Sequence, residues 1–372
     1  MYRLTGNGIL SSIEQKWERL RILKTEIWHL KKVEPERDII KRAAQIIKDG
    51  NLVAFPTETV YGLGANGLDS EAVKKIFEAK GRPNDNPLIL HIANLKDVFY
   101  LASIVPLKAQ VLMEEFWPGP LTLVFSKSKF IPEEITCGLE TVAIRMPKHQ
   151  VALALIREAG VPIAAPSANR SGYPSPTEAD HVYNDLHGLI DVILDAGPTG
   201  LGLESTVLDI SGEVPTILRP GGVTIEQLIP LIGHVEYDAG LHHSSEAPKA
   251  PGMKYTHYSP RAAVILLDGE PEQVASKLKD MVEDYTLKGS KVGLLLTNEI
   301  YQKVKDISTT YMINIGNRQD LPKIAQSIYK ELRNCDLAGV DIILTETYHE
   351  EGLGTAIMNR LLKSAGYKVI SC

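Results

Sequence analysis

Leu52-Val53-Ala54-Phe55-Pro56-Thr57-Glu58-Thr59-Val60-Tyr61-Gly62 decides how this chain is read. The first four residues form a wholly apolar run, too short for a helix and bounded by Gly50 and Pro56, which is the pattern of a buried strand. The rest turns polar at once, with two threonines, a glutamate and a tyrosine at the strand's exit. A plain turn needs one or two hydroxyls to bond its own backbone. A longer polar run at the end of a buried strand reads as a binding segment.

Outward from this stretch the same alternation recurs. Upstream, Ile39, Ile40, Ala43, Ala44, Ile46 and Ile47 line one face of a helix that starts at Pro35 and stops at Gly50. Downstream, helical periods at Glu71–Ala79 and His149–Ala159 are interleaved with short apolar strands at Leu88–Ile92, Leu121–Phe125, Val142–Ile144, Pro162–Ala165, Val192–Leu194, Thr206–Ile210 and Thr216–Leu218. This predicts an α/β domain built on a sheet. From Val264 the rhythm is stricter: strands at Val264–Leu267, Val292–Thr297, Met312–Ile315, Val340–Leu344 and Lys368–Ile370, with helices at Pro271–Leu287, Asp320–Cys335 and Thr355–Ala365. That alternation predicts a smaller, doubly wound parallel sheet. The expected divisions are an N-terminal extension (1–33), a catalytic domain (34–232), a linker or lid (233–260) and a C-terminal domain (261–372). In the extension, Ile13, Trp17, Leu20, Leu23, Ile27 and Leu30 fall at helical spacing, and basic residues outnumber acidic ones. It reads as a terminal helix packed on the domain, or a loose extension, rather than a nucleic-acid arm.

Composition narrows the function. The 372 residues are 44% hydrophobic and 23% charged, which excludes collagen-like and disordered classes. No apolar run approaches the ~18–20 residues of a membrane helix. Met1–Leu30 lacks the apolar stretch of a secretory signal. Cys137, Cys335 and Cys372 stand singly, which argues against a zinc site or disulfide framework and fits a reducing, cytoplasmic setting. The formal charge of −6 argues against a surface that grips nucleic acid tightly, while a small anion needs only a few focused cations.

Several segments offer such groups. Lys80-Gly81-Arg82-Pro83-Asn84-Asp85-Asn86-Pro87 follows a helix and suits a phosphate cradle. Arg145 ends the strand Val142–Ile144, and its planar fork matches a carboxylate. Pro166-Ser167-Ala168-Asn169, Glu204-Ser205-Thr206 and Leu218-Arg219-Pro220-Gly221-Gly222 also carry small or cationic groups next to strands. Convergence of these segments predicts one pocket for a ligand with phosphate and carboxylate character. His91 lies within an apolar strand, where a histidine by itself reads as a core residue. Gly62-Leu63-Gly64-Ala65-Asn66-Gly67 matches the dinucleotide fingerprint, but six residues separate Phe55 from Gly62 and no tight strand–helix turn is present. No P-loop occurs.

Pro56–Gly62, Lys80-x-Arg82 with Ser167-x-Asn169, Phe116–Thr122 and Ala250–Tyr258 together resemble the threonylcarbamoyl-AMP synthase family in its long, two-domain form, over about residues 35–372. The resemblance implies a YrdC-like twisted mixed sheet with helices and a smaller Rossmann-like domain. It implies a transferase that converts L-threonine, bicarbonate and ATP into threonylcarbamoyl-AMP and pyrophosphate, the product passing to tRNA-modifying proteins that make threonylcarbamoyladenosine. It implies that Thr59, His91, Arg145, Ala165 and Ser205 bind threonine. Lys80, Arg82, Asn86, Thr141, Ser167, Asn169, Ser175, Arg219 and Tyr258 would bind ATP, with Lys80 and Arg82 positioning it. Mg²⁺ would be held mainly by the ATP phosphates, because no protein ligand set is visible, although Glu58 is a potential outer partner. The segment up to Tyr258 is expected to fold over the pocket as a lid. A carbamoyl-transferring maturation factor also contains a YrdC-like domain, but its companion zinc-finger cysteines are absent here. A non-enzymatic double-stranded RNA-binding module is the other alternative and requires a basic, shape-reading face.

Overall fold

The computed structural model describes residues 23–31, 36–241 and 258–372. Its larger unit is a twisted mixed sheet. The strands are β1 (Glu26–His29), β2 (Val53–Pro56), β3 (Tyr61–Asn66), β4 (Ile89–His91), β5 (Leu121–Ser126), β6 (Thr141–Arg145), β7 (Ile163–Ala164), β8 (Val192–Asp195), β9 (Thr206–Asp209), β10 (Thr216–Arg219) and β11 (Glu236–Tyr237). They lie in the order β1-β8-β2-β3-β7-β4-β6-β5-β9-β10-β11. Parallel pairs (β4 with β6, β5 with β9) alternate with antiparallel ones (β2 with β3, β5 with β6). Helices α1 (Arg37–Lys48), α2 (Ser70–Lys80), α3 (Val98–Leu101), α4 (Leu107–Phe116), α5 (Glu133–Thr136), α6 (Gln150–Ala159), α7 (Ala179–Leu186) and α8 (Ile225–Ile232) complete this unit. Ala44, Ile47 and Phe55 pack with Leu155 of α6 in one core, whereas Tyr61, Leu63 and Ile76 of α2 pack in another.

Local chemistry explains how α2 delivers its last residue. Asp69 accepts hydrogen bonds from the Glu71 and Ala72 amides, and Gly81 ends the helix in the left-handed region at φ +58°. Such a cap contributes ~1 kcal/mol. Lys80 is thereby fixed in the final turn and buried.

The second unit carries β12 (Ala263–Asp268), α9 (Pro271–Leu287), β13 (Val292–Leu296), α10 (Asn298–Val304), β14 (Tyr311–Asn314), α11 (Leu321–Leu337), β15 (Ile342–Glu346), α12 (Leu353–Ser364) and β16 (Val369–Ser371). All its strand pairs are parallel, in the order β14-β13-β15-β12-β16. Val264 and Leu266 face one apolar cluster with α11 and α12, and Ile265 and Leu267 face another with α9, as a doubly wound sheet requires. The two units touch closely. Gly202 has φ +82°, and a Cβ there would lie 2.4 Å from the Gln326 Cα of α11. Arg333 of α11 donates to both oxygens of Asp185 at 3.0 and 2.7 Å, and Lys330 pairs with Glu178 at 2.7 Å.

Four local readings need correction. Residues 26–29 form a strand paired with β8, not the end of a helix, so part of the presumed extension belongs to the first sheet. Parallel pairing with β8, whose other edge is taken by β2, outweighs the helical spacing of Ile27 and Leu30. Residues 1–22, with Ile13, Trp17 and Leu20, lie outside the described residues, as does Pro35. Tyr61–Asn66, read from the sequence only as the end of a polar strand exit and a fingerprint-like run, is a strand antiparallel to β2. Its glycines allow close passage: a Cβ on Gly64 would lie 2.7 Å from the Phe55 ring and 2.9 Å from Ile163. The dinucleotide-like glycines therefore serve packing between strands. Finally, Glu236–Tyr237 adds a strand beside β10 within the stretch read as linker, and the helices α3, α4, α5, α7, α8 and α10 go unread in the sequence, being only 4–10 residues long.

Candidate active site

Strand ends of the first unit surround a partly enclosed cavity. Thr59, His91, Arg145, Ala165 and Ser205 line it, together with Lys80, Arg82, Ser167, Asn169, Ser175, Arg219 and Tyr258. Asn86 and Thr141 do not. Asn86 is buried, but it serves the site through its backbone, whose carbonyl accepts from Arg82 Nε at 3.1 Å. Thr141 starts β6 and pairs with Ser126, whereas the cavity meets the far end of that strand. Four residues of strand, ~13 Å, separate it from Arg145.

At one end of the cavity, His91 and Arg145 are direct neighbours on parallel strands. Both are buried. Arg145 Nε donates to the Gly119 carbonyl at 3.2 Å and Nη1 donates to Thr59 Oγ1 at 3.1 Å. Nη2 lies 2.8 Å from Glu58 Oε1, an ion pair by distance. Yet Nη2 and both Glu58 oxygens make no hydrogen bond, so the contact is Coulombic and Nη2 keeps donor capacity. Glu58, which does not line the cavity, thus acts on Arg145 from outside its wall. Thr59 is steadied by Thr57, whose hydroxyl lies 2.8 Å from that of Thr59 and donates to the Val60 carbonyl at 2.7 Å. Burial first, and Arg145 next, push His91 down to about 3, so it is neutral over the physiological range.

The other end is cationic. Lys80 Nζ donates to the carbonyls of Ser167 and Asn169, each at 2.5 Å, and so braces the segment after β7. Burial, then Arg82, holds its ammonium well below the usual lysine range. Arg82 is pushed down to about 10 by burial. Its Nη2 donates to the Pro87 carbonyl at 3.1 Å, so the proline-stiffened loop wraps the guanidinium. Arg219 donates to the Ser205 carbonyl and, at 3.2 Å, to Ser205 Oγ, which lies 2.7 Å from Thr122 Oγ1.

Sequence reasoning gave no role to Glu204, the sole acidic residue in the cavity wall among the described residues. It also gave none to Thr57 or Tyr173. Tyr258 joins the cavity wall to the second unit. Its ring lines the cavity, and it also stacks on Tyr329 at 5.4 Å between centroids and lies under the Arg360 guanidinium at 5.3 Å. The remainder of the expected lid, 242–257, including the motif up to His257, lies outside the described residues. No group of three or more potential metal ligands occurs among the described residues.

Comparison with known proteins agrees with this architecture. Residues 45–221 match a family model described as Telomere recombination (Sua5_yciO_yrdC), and residues 223–366 match one described as Threonylcarbamoyl-AMP synthase, C-terminal domain. The threonylcarbamoyl-AMP synthase of Bacillus subtilis is 50% identical over 332 residues, covering 89% of this chain and 94% of that protein. Its counterpart in Pyrococcus abyssi is 48% identical, covering 89% and 95%. The crystal structure of P. abyssi Sua5 complexed with L-threonine superposes with a TM-score of 0.88 at 46% identity, covering 93% of this chain and 99% of that one. With both domains matched and half the residues identical over nearly full length, the chain belongs to the threonylcarbamoyl-AMP synthase family.

Proposed function

We infer that this chain is an enzyme that joins L-threonine, bicarbonate and ATP into threonylcarbamoyl-AMP and pyrophosphate. One observation carries the reading: a single cavity holds, at one end, a buried arginine whose Nη2 makes no hydrogen bond within the protein and, at the other, a cluster of lysine and arginine groups. Those ends suit a carboxylate and a polyphosphate respectively.

In this reading the threonine carboxylate meets Arg145 Nη2, with Thr59 holding the guanidinium and Glu58 setting its direction. Neutral His91, Ala165 and Ser205 complete the amino-acid end. Threonine and bicarbonate condense as the ammonium form plus HCO₃⁻ to the carbamate, water and a proton. A carbamate oxygen then attacks the α-phosphorus of ATP, the bond to the β-phosphate oxygen breaks, and pyrophosphate leaves. Such transfer depends on positioning and charge neutralisation. Arg82 and Arg219 offer charge, Lys80 braces the Ser167–Asn169 wall, and Tyr258 closes one side and limits water. Glu204 is committed to protein partners, which fits a Mg²⁺ ion held by ATP phosphate oxygens and water rather than by carboxylates; bound there, it supplies further charge neutralisation. We place the product upstream of threonylcarbamoyladenosine formation in tRNA, with transfer by other proteins, and the reaction in the cytoplasm. Among the described residues no helix is long and apolar enough to cross a membrane.

The RNA-binding alternative is not favoured, because the cations converge inside a cavity and the chain as a whole carries −6. The test is pyrophosphate release from ATP measured with threonine and bicarbonate supplied together and singly. Release that needs both supports the reading, and release indifferent to either removes it.

A further inference from the structure

A carboxylate is an unexpected lining for a phosphate site. Glu204 nevertheless stands in the cavity wall with Ser175 and Arg219, and it is buried. Left alone, its negative charge would oppose a bound triphosphate, since like charges in a poorly solvated site repel strongly. The structure meets that charge from behind. Arg360, in the interior of α12 of the second unit, is fully buried and donates from Nε to Glu204 Oε2 at 2.8 Å. Tyr329 Oη of α11 donates to Oε1 and Oε2 at 3.1 and 3.0 Å, and Ser175 Oγ donates to Oε1 at 2.5 Å. Burial by itself raises the Glu204 carboxyl, but Arg360 and then Arg219 hold it down at about 2, so it is ionised at working pH. Arg360 does not line the cavity. Its guanidinium also covers the ring of Tyr258, which does.

We propose that Arg360 is a positioning residue of the nucleotide half-site: a counter-ion supplied by the second domain that neutralises Glu204, so that the shared wall attracts phosphate instead of repelling it. The proposal rests on the reading that ATP phosphates occupy this wall. It gives the second domain a defined electrostatic part in a site whose lining comes mostly from the first, and it differs from a role in domain docking alone. Docking would make Glu204 and Arg360 equivalent, because each removes the same contact. Charge balance makes them opposite, because losing Arg360 adds net negative charge to the wall and losing Glu204 adds net positive charge.

The experiment is calorimetric titration of MgATP and, separately, of threonine into the full chain and into Arg360→Met, Glu204→Gln and the double variant, with thermal unfolding of each preparation. Arg360→Met should weaken ATP binding by at least about tenfold while threonine affinity stays within about twofold. Glu204→Gln should tighten ATP binding by about threefold, and the double variant should recover to within about threefold of the parent. If Glu204→Gln weakens ATP as much as Arg360→Met, or the double variant binds no better than Arg360→Met, the counter-ion role is overturned. Should Arg360→Met alone fail to fold, Glu204→Gln and the double variant decide: tightening in the first and near-parental affinity in the second support the role, and weakening in both overturns it. A parent chain that binds ATP but releases no pyrophosphate would overturn the synthase reading, while these binding constants would still decide the role of Arg360.

Discussion

Arg145→Ala should abolish recognition of the amino acid while sparing the nucleotide. The guanidinium is buried and makes hydrogen bonds to Gly119 and Thr59, leaving Nη2 as the donor for an incoming carboxylate. Truncating one partner of a desolvated charge pair costs about 2–5 kcal/mol, so threonine affinity should fall by about 30-fold to several thousandfold. Arg145→Lys keeps the charge but loses the fork. Losing one charge-assisted hydrogen bond, about 1.5–3 kcal/mol, gives an intermediate loss of about 10- to 150-fold. Stability complicates the measurement, because Ala leaves Glu58 without its counter-ion. That penalty is about 3 kcal/mol for a well-buried pair and is reduced here by the 17% exposure of the Glu58 side chain. The double variant Glu58→Gln/Arg145→Ala removes the orphan charge and should regain thermal stability without regaining threonine binding. Isothermal titration of threonine and of MgATP against each variant reads this out. Equal losses for both ligands, or recovery of threonine binding in the double variant, would refute the assignment.

Other expectations follow from the same geometry. Gly64→Ala places a methyl 2.7 Å from the Phe55 ring, and overpacking of that kind costs about 1–3 kcal/mol, to be seen as a lowered melting temperature; an unchanged one would mean that β3 has slack. His91 cannot take up a proton in the folded state until about pH 3, whereas the unfolded chain does so near its ordinary value of 6.5, so its contribution is present above pH 6.5 and is lost as pH falls. The slope approaches ~1.4 kcal/mol per pH unit, and urea midpoints from pH 4.5 to 6.5 should fall more steeply for the parent than for His91→Gln. Coincident slopes would count against a buried neutral histidine. Serine should be used about 10- to 200-fold less well than threonine, since one methyl contributes only 1–3 kcal/mol, with valine worse still; a competition in which valine outperforms serine would show that the hydroxyl is not read.

Much of the architecture was legible because its causes are local. Val53–Pro56 is apolar for four residues, α2 has its Asp69 cap and Gly81 stop, and α9 begins at Pro271 and ends at Leu287 as its periodicity implies. Elements determined by distant partners were not. β1 forms because β8, more than 160 residues on, offers it the edge that β2 leaves open, and nothing within residues 26–29 announces it. β3 escaped notice because its glycines, chosen for contact with Phe55 and Ile163, resemble a loop. The site divides in the same way. Residues at strand ends, such as Arg145, Ser205 and Arg219, could be grouped from position alone. Thr141 lies outside the cavity lining because the same strand carries one end to the cavity and the other away from it. Arg360 and Tyr329 had no signal at all: they are interior helix positions whose partner, Glu204, is 156 and 125 residues away in the chain.

The central claim is that one cavity unites threonine, bicarbonate-derived carbon and the adenylyl group of ATP. Incubating the chain with isotopically labelled bicarbonate, threonine and ATP, and separating the products by chromatography with mass detection, tests it directly. The account predicts a single adenylate that carries both the label and threonine, formed in step with pyrophosphate and missing when threonine is omitted or when Arg145→Ala replaces the parent. Pyrophosphate released at the same rate without threonine, or an adenylate free of label, would contradict it.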